Sequence, residues 1–422
     1  MPEIKGWCPG ALAPMASGDG LLMRAKIIGS RLALAQAKEI AAIASECGNS
    51  RLDLSQRAQL QMRGLSDATR ERAQARLAKI GLLAPDAATE AAVNVIASPL
   101  PCGDVDTDTL AGRLAQALAR DSALHALPGK FLFLLDNGGA LGLARSSADI
   151  RLEAEGPRVA ITLDGAPDLA FLCDPDDATD AALKLAHAFL RLRNARPFAL
   201  RRMRALVAEC GALRVFREAG LAPRPYGSRC RSAAPAAYLG AQMVERVSFA
   251  GVAAPFGRLD ARDLDEFIRT AEREDASELR LTPWRTLLAP VASREAAHRI
   301  VTTAQDLGFI TQADDWRLAV VACPGAPECP QALGPTRMGV DILAASARAL
   351  AKNGVGLHVS GCAKGCAKPS PTPITLVASA SGFDLVLDGL ASDRPAATSL
   401  ALDEIARLVA ARSEMEAPCP GQ

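Results

Sequence analysis

Aromatic residues are scarce in this 422-residue chain, at 4% of the total, with three Trp and two Tyr. That scarcity, with heavy use of Ala and Leu, argues against an all-β protein and for a helix-rich α/β chain. Net charge is nearly absent as well, at +1, so bulk charge points to neither nucleic acid nor membrane. No apolar run reaches the roughly 18 residues of a membrane span. The opening MPEIKGWCPGALAPMASGDG carries Pro, Gly and Asp where a signal peptide needs an apolar stretch, so a cytoplasmic location is expected. There is no nicotinamide or flavin fingerprint, because SGDGLL lacks the G-x-G-x-x-G pattern and its acidic partner. Histidine is rare, with four copies. What remains is an ordinary globular composition, long enough for two to four domains, with eleven cysteines. An odd cysteine count without an export signal favours thiols and metal ligands over a disulfide framework.

The chain repeats itself weakly, in the order A, B, A′, B′. The A copies are residues 21–65 and 249–292. Each has an Arg-Leu step, Arg31-Leu32 and Arg258-Leu259, then an amphipathic helix, AQAKEIAAIASECG or ARDLDEFIRTAERE. An alternating strand follows in each, RLDLSQRAQLQMRG or ELRLTPWRTLLAPV, and a second helix near 67–81 or 293–307. The B copies are residues 94–135 and 319–362, where NVIASPL matches AVVACPG and Ser98 stands opposite Cys323. Each continues through a helix, LAGRLAQALA or DILAASARALA, to a strand, KFLFLLD or VGLHVSG. This order predicts a pseudo-twofold molecule with a cleft between halves. The expected segments are 1–84, 85–200, a helical connector over 201–248 with a Pro/Gly/Ala-rich stretch, 249–309 and 310–415. The tail EMEAPCPGQ is expected to be disordered.

Chemistry concentrates in four cysteines. Cys323 and Cys329 are spaced C-x5-C in VACPGAPECPQA, and Cys362 and Cys366 are spaced C-x3-C in HVSGCAKGCAKP. The second pair can place two thiolates one helical turn apart, about 5–6 Å between Cβ atoms, which suits two corners of a cubane 4Fe–4S cluster. The flanking Pro and Gly let backbone amides approach sulfur. Two other readings stay open. Structural zinc also takes four thiolates, though usually as C-x2-4-C knuckles, and four unrelated buried thiols is the blander possibility. Cys8, Cys47, Cys102, Cys173, Cys210, Cys230 and Cys419 show no ligand spacing, and Cys47 and Cys210 read as core thiols of helices. Since Ser98 replaces the first cysteine in the other B copy, one cluster is expected.

C-x5-C followed some 30 residues later by G-C-x3-C, on the second copy of a duplicated unit, resembles the sirohaem nitrite and sulfite reductase superfamily over residues 5–390. The segments GWCPGALAPMASGDGLLMR and HVSGCAKGCAKP resemble its precorrin-3B synthase branch. The resemblance implies an α/β (α+β) fold: a duplicated, pseudo-twofold nitrite/sulfite reductase-like architecture with ferredoxin-like half-domains. It implies a 4Fe–4S cluster on the four cysteines, with Cys366 in the place that bridges to sirohaem in the reductases. For the branch it implies oxygen-dependent hydroxylation of precorrin-3A with γ-lactone formation in aerobic cobalamin synthesis. A mononuclear non-haem iron would accompany the cluster. Electrons would come from an external reductase or ferredoxin, given that no nucleotide fingerprint is present. The reductases place an Arg in a T-R-x-x-x-Q strand, which Arg57 in SQRAQLQ fits. Their second Arg is replaced here by Val93, and their K-F-K by Lys130-Phe131-Leu132. Two of four expected cations are therefore missing, which argues against sulfite or nitrite reduction.

A precorrin carries up to eight carboxylates and calls for a broad apolar floor ringed by cations. The expected substrate cations are Arg57, Lys130, Arg285 and Arg24, with Lys26 and Arg63 as further candidates. Arg285 in TPWRTLL stands nearly at the repeat position of Arg57, and Trp284 beside it offers a ring for stacking. A lone surface Arg or Lys is more often merely solvated; Arg57, Lys130 and Arg285 are singled out by where the resemblance puts them. Iron ligands are not legible. His187 and His298 read as structural helix residues; His358, four residues before Cys362, and His125 are candidates, with Cys8 an outside one. The competing functions are a sirohaem-dependent sulfite or nitrite reductase and a non-enzymatic tetrapyrrole or electron carrier.

Overall fold

The computed structural model describes residues 8–195, 200–228, 232–344, 347 and 355–415. Cys230, Cys419, the tail from 416 and much of the DILAASARALA helix lie outside them. Two compact units form: residues 8–15 with 22–311, and residues 16–21 with 312–415.

In the larger unit the two A copies build two sheets by exchanging an edge strand. Gly20–Ala25, Leu60–Leu65 and Arg51–Leu54 are completed by Arg258–Asp260 from the second copy. Val247–Ala253, Thr286–Val291 and Glu278–Leu281 are completed by Arg31–Ala33 from the first. The pairings are Leu259 with Leu52 and Leu32 with Leu279, all four buried. The Arg-Leu steps thus mark the exchanged strands. Ion pairs tie the exchanged strands to their hosts. Asp53 accepts from Arg63 Nη1 at 3.1 Å and from Arg258 Nε at 3.0 Å, and Arg31 of the other exchanged strand pairs with Glu278. Each exchanged strand runs into its helix, Leu34–Cys47 or Ala261–Arg273, and the two helices pack on each other.

The expected single alternating strands are hairpins. The chain reverses at Ser55–Gln59 and at Thr282–Thr286, where Ala58 and Arg285 adopt positive φ of 52° and 62°. Ser55 N–H donates to Gln59 O at 2.9 Å and Thr282 N–H to Thr286 O at 3.0 Å. These bonds set the register between the copies: Trp284, not Arg285, stands where Arg57 stands. The second helices form at Asp67–Lys79 and Arg294–Asp306, capped by Ser66 and Ser293. Among the described residues the connector contributes three helices, Met203–Cys210, Ala212–Glu218 and the single turn Pro235–Tyr238.

The third sheet of this unit starts with three parallel strands, Val95–Ala97, Phe133–Asp136 and Ile150–Glu155. Arg158–Leu163 and Ala166–Cys173 continue it antiparallel. Helices Thr107–Arg120 and Pro175–Asn194 cover it, over a core that includes Phe131, Phe133 and Phe189 in ring contact. The smaller unit repeats the plan. Val320–Ala322, Leu357–Ser360 and Thr372–Ser379 are parallel, and Gly382–Gly389 and Ala397–Leu400 follow antiparallel. The observed architecture is the duplicated α/β fold with ferredoxin-like halves. Among the described residues no helix is long and apolar enough to cross a membrane.

Candidate iron–sulfur and tetrapyrrole sites

In the smaller unit the first two parallel strands end in the two cysteine loops. Cys323 follows its strand directly and stays in the ladder, its N–H donating to Val359 O at 3.1 Å. Its buried sulfur accepts from Gly361 N–H at 3.1 Å. Burial pushes this thiol up, and the amides of Gly361 and Gly325 and the Thr336 hydroxyl oppose that by stabilising the thiolate. Thr336 also donates to Cys323 O at 2.6 Å, while Cys329 N–H donates to Gly325 O at 2.7 Å. Cys362 and Cys366 lie in the next loop, closed by Gly365 N–H to Cys362 O and Ser360 Oγ to Cys362 O.

The four thiols share one electrostatic neighbourhood. The Cys366 thiol is raised first by desolvation and then by Cys323, Cys329 and Cys362 together. Mutual repulsion among four thiolates is what a cationic iron cluster relieves. Glycine makes the approach possible. A Cβ on Gly361 would come within 2.5 Å of Ala332 Cβ, and one on Gly325 within 2.6 Å of Thr336 Oγ1. Gly18, in the turn between the first two strands, donates to Glu328 O at 2.9 Å, and a Cβ there would strike Pro327 O. Gly361, Thr336 and Gly18 were not singled out by sequence; the signal available was glycine beside the cysteines and in SGDG. The donor set and its amides fit a 4Fe–4S cluster held by Cys323, Cys329, Cys362 and Cys366. Cys366 is the exposed member and Cys323 the buried one.

His358 lies in the same unit, on the strand before Cys362. It is fully buried, neither ring nitrogen has a hydrogen-bond partner, and burial pulls its imidazole down to about 4. Two of the other histidines are engaged: His187 Nε2 is 2.7 Å from Asp121 Oδ2 and His125 Nε2 is 3.2 Å from Ala119 O. Among the described residues no three His, Cys, Asp or Glu side chains converge on a single ion.

The expected cations of the larger unit divide into two groups. Arg24, Lys26 and Arg57 come together with Gln59, Val93 and Leu132 around one small pocket. Arg57 Nη2 donates to Lys130 O at 2.8 Å, so Lys130 contributes its carbonyl there while its side chain is exposed. Lys26 Nζ donates to Val93 O at 3.0 Å and Asn94 Oδ1 at 2.7 Å. With its amide oriented to accept, Gln61 receives Arg24 Nε at 3.0 Å. Burial pulls the Arg57 guanidinium down to about 10 and lowers Arg24 as well. Arg285 joins the other group, beside Gly257 and in the field of Asp53, with Arg63 and Arg258. Trp284 is stacked on Tyr238 with centroids 4.5 Å apart. Cys8 lies against Arg24, and its loop is pinned by Glu90, which accepts from Ala11 N–H at 2.7 Å and Leu12 N–H at 3.0 Å. Cys47, Cys102 and Cys173 are buried; Cys210 is half-buried.

Known proteins frame this geometry. Residues 13–80 match the nitrite/sulfite reductase ferredoxin-like half domain. A chloroplastic ferredoxin–nitrite reductase of Oryza sativa subsp. japonica is 29% identical over 133 residues, 31% of this chain and 22% of that protein. The fold is that of the Mycobacterium tuberculosis NirA protein, with a TM-score of 0.73 over 95% of this chain and 82% of the other at 18% identity. A precorrin-3B synthase of Sinorhizobium sp. is 30% identical over 410 residues, covering 93% of this chain and 85% of the relative. Sequence similarity to the chloroplastic reductase thus covers under a third of the chain, whereas sequence similarity to the synthase runs nearly end to end, and the chain belongs to the precorrin-3B synthase family.

Proposed function

We propose that this chain hydroxylates precorrin-3A with dioxygen and closes a γ-lactone, giving precorrin-3B in aerobic cobalamin biosynthesis in the cytoplasm. The observation that carries the reading is the end-to-end match to a precorrin-3B synthase. The site chemistry supports it. Four thiols with amide donors suit a 4Fe–4S cluster, which supplies single electrons when bound. Gly361 and Gly325 N–H groups hold negative charge at Cys323, and the exposed Cys366 is open to a partner. A separate reductase or ferredoxin supplies the electrons. A mononuclear non-haem iron is part of the proposal. Arg57 and Arg24, with Lys130 and Arg285, bind substrate carboxylates, each by charge-assisted hydrogen bonds. Trp284, held flat by Tyr238, offers a ring for an apolar macrocycle face.

The rival reading, a sirohaem-dependent sulfite or nitrite reductase, draws on the partial match to a chloroplastic ferredoxin–nitrite reductase. Iron and acid-labile sulfide analysis with a visible spectrum of anaerobically purified protein separates the two. A broad cluster shoulder without Soret and Q bands is expected; strong sirohaem bands would overturn the proposal. Under air, with an electron donor, precorrin-3A should gain the mass of one oxygen atom. Arg57→Ala should weaken substrate binding by about tenfold to a hundredfold, the loss of one charge-assisted bond, and leave iron and sulfide unchanged.

A further inference from the structure

One buried polar side chain of the smaller unit has no structural task. His358 is 0% exposed, and both of its ring nitrogens lack a hydrogen-bond partner. A neutral imidazole carries one N–H and one acceptor nitrogen, so burying both unmet is unfavourable. Its neighbours are apolar or already occupied. Val321 and Thr375 flank it in register on the adjoining strands. The Thr375 hydroxyl donates to Gly389 O at 3.0 Å. The Ser360 hydroxyl, next along the same face, donates to Cys362 O at 2.7 Å. The fold does not require histidine at this point, because the matching strand of the larger unit carries buried Leu134. Histidine thus stands on the copy that carries the four thiols and not on the other.

The ring is placed toward the cysteine loops. Residues two apart on a strand share a face, so Cys323 stands beyond Val321 on the side to which His358 projects. Gly361 N–H, at the end of the His358 strand, donates to Cys323 Sγ. Gly365, of the Cys362–Cys366 loop, closes on the imidazole: a Cβ there would lie 3.6 Å from His358 Cε1. Cε1 is the carbon between the two nitrogens, so the polar edge of the ring faces the loop. We propose that His358 is a positioning residue for the cluster: its N–H donates to a sulfur of the cluster held by the four cysteines and raises the potential at which that cluster accepts an electron. A reduced cluster carries one more negative charge, so its sulfurs accept a hydrogen bond more strongly and the donor favours the reduced form. Burial, and after it the Lys368 ammonium, bring the imidazole down to about 4, so the ring is neutral when it donates. The inference rests on the cluster assignment and not on the identity of the substrate.

The test uses the full chain, purified without oxygen, with nitrogen-15 in its histidines. Pulsed EPR of the reduced cluster should show one weakly coupled histidine nitrogen, lost in His358→Leu. In a potentiometric titration followed by EPR, His358→Leu should lower the ratio of reduced to oxidised cluster about tenfold at a fixed potential, or about 59 mV for a one-electron couple. Of His358→Asn and His358→Gln, whose amide N–H groups reach the places of Nδ1 and Nε2, one should recover most of that loss. Absence of histidine coupling in wild-type protein, or an unchanged potential in His358→Leu, would overturn the donor. An equal fall in the Leu, Asn and Gln variants would assign the effect to packing and overturn it too. A coupling as strong as that of a directly ligated nitrogen would make His358 an iron ligand instead. Wild-type protein without iron and acid-labile sulfide would overturn the cluster assignment, and the donor with it. The expected coupling and potentials in protein that does not turn over precorrin-3A would leave the donor standing and count against the proposed reaction.

Discussion

The two parallel-strand units are built on the same ladder and differ in what occupies its end. In the larger unit Ser98 N–H donates to Leu135 O at 3.0 Å; in the smaller, Cys323 N–H donates to Val359 O at 3.1 Å. The next bond is also shared: Asn137 N–H meets Ser98 Oγ at 3.1 Å, and Gly361 N–H meets Cys323 Sγ at 3.1 Å. Beyond that point they part. Asn137 fills its own loop, donating to Leu100 O and accepting from Gly139 N–H, and Asp136 accepts from Gly138 and Leu143. The smaller unit has Gly361, whose bare backbone lets Ala332 pack where a side chain would project, followed by Cys362. One hydrogen-bond frame therefore serves two ends: closed by a polar network, it is structural; lined with thiols, it can hold a cluster. A buried difference runs alongside, for Leu134 in one strand stands where His358 stands in the other.

The comparison breaks most severely at the thiols. Cys362→Ser or Cys366→Ser should remove the cluster and all turnover, read as loss of iron and acid-labile sulfide; full retention of both would remove that residue from the ligand set. His358→Leu restores the residue type of the other unit. In cluster-free protein it should raise stability by about 1–2 kcal/mol, because two buried nitrogens without partners are removed. It should also flatten the acid limb of stability. The imidazole at about 4 when folded titrates near 6.5 when unfolded, so the unfolded chain binds the extra proton between those values. Wild-type stability then falls as pH drops from about 6.5 through about 4, a slope the variant should lack in chemical denaturation across that range. The smallest effect belongs to Ser98→Cys. A single thiol with Asn137 still in the loop should leave iron content per chain unchanged, and a gain of iron would show that the frame alone recruits metal.

Helices, the repeat and the cysteine loops were legible because each leaves a local signature: 3.6-residue periodicity, a recurring Arg-Leu step, close thiol spacings. The strand exchange was not, since a three-residue strand reads the same whichever sheet receives it. The hairpins were missed for a related reason. Ala58 and Arg285 take positive φ without being Gly or Asn, so no turn residue announces the reversal. That hidden turn also displaced the repeat alignment by one residue, pairing Arg285 with Arg57 where the backbone pairs Trp284. Arg24 and Lys26 could be put on one face of a strand by alternation. Their meeting with Arg57, and the engagement of Glu90 by distant amides, depend on tertiary contacts that no local pattern encodes.

The exchanged strands have a consequence for how the protein is made. Asp53 and Arg258 meet across 205 residues of chain, and Arg31 meets Glu278 across 247. During synthesis the first sheet waits with an open edge until most of the larger unit has emerged, and closure of such distant contacts slows folding. Neither ferredoxin-like half can be excised as a module, because each carries away a strand that the other needs.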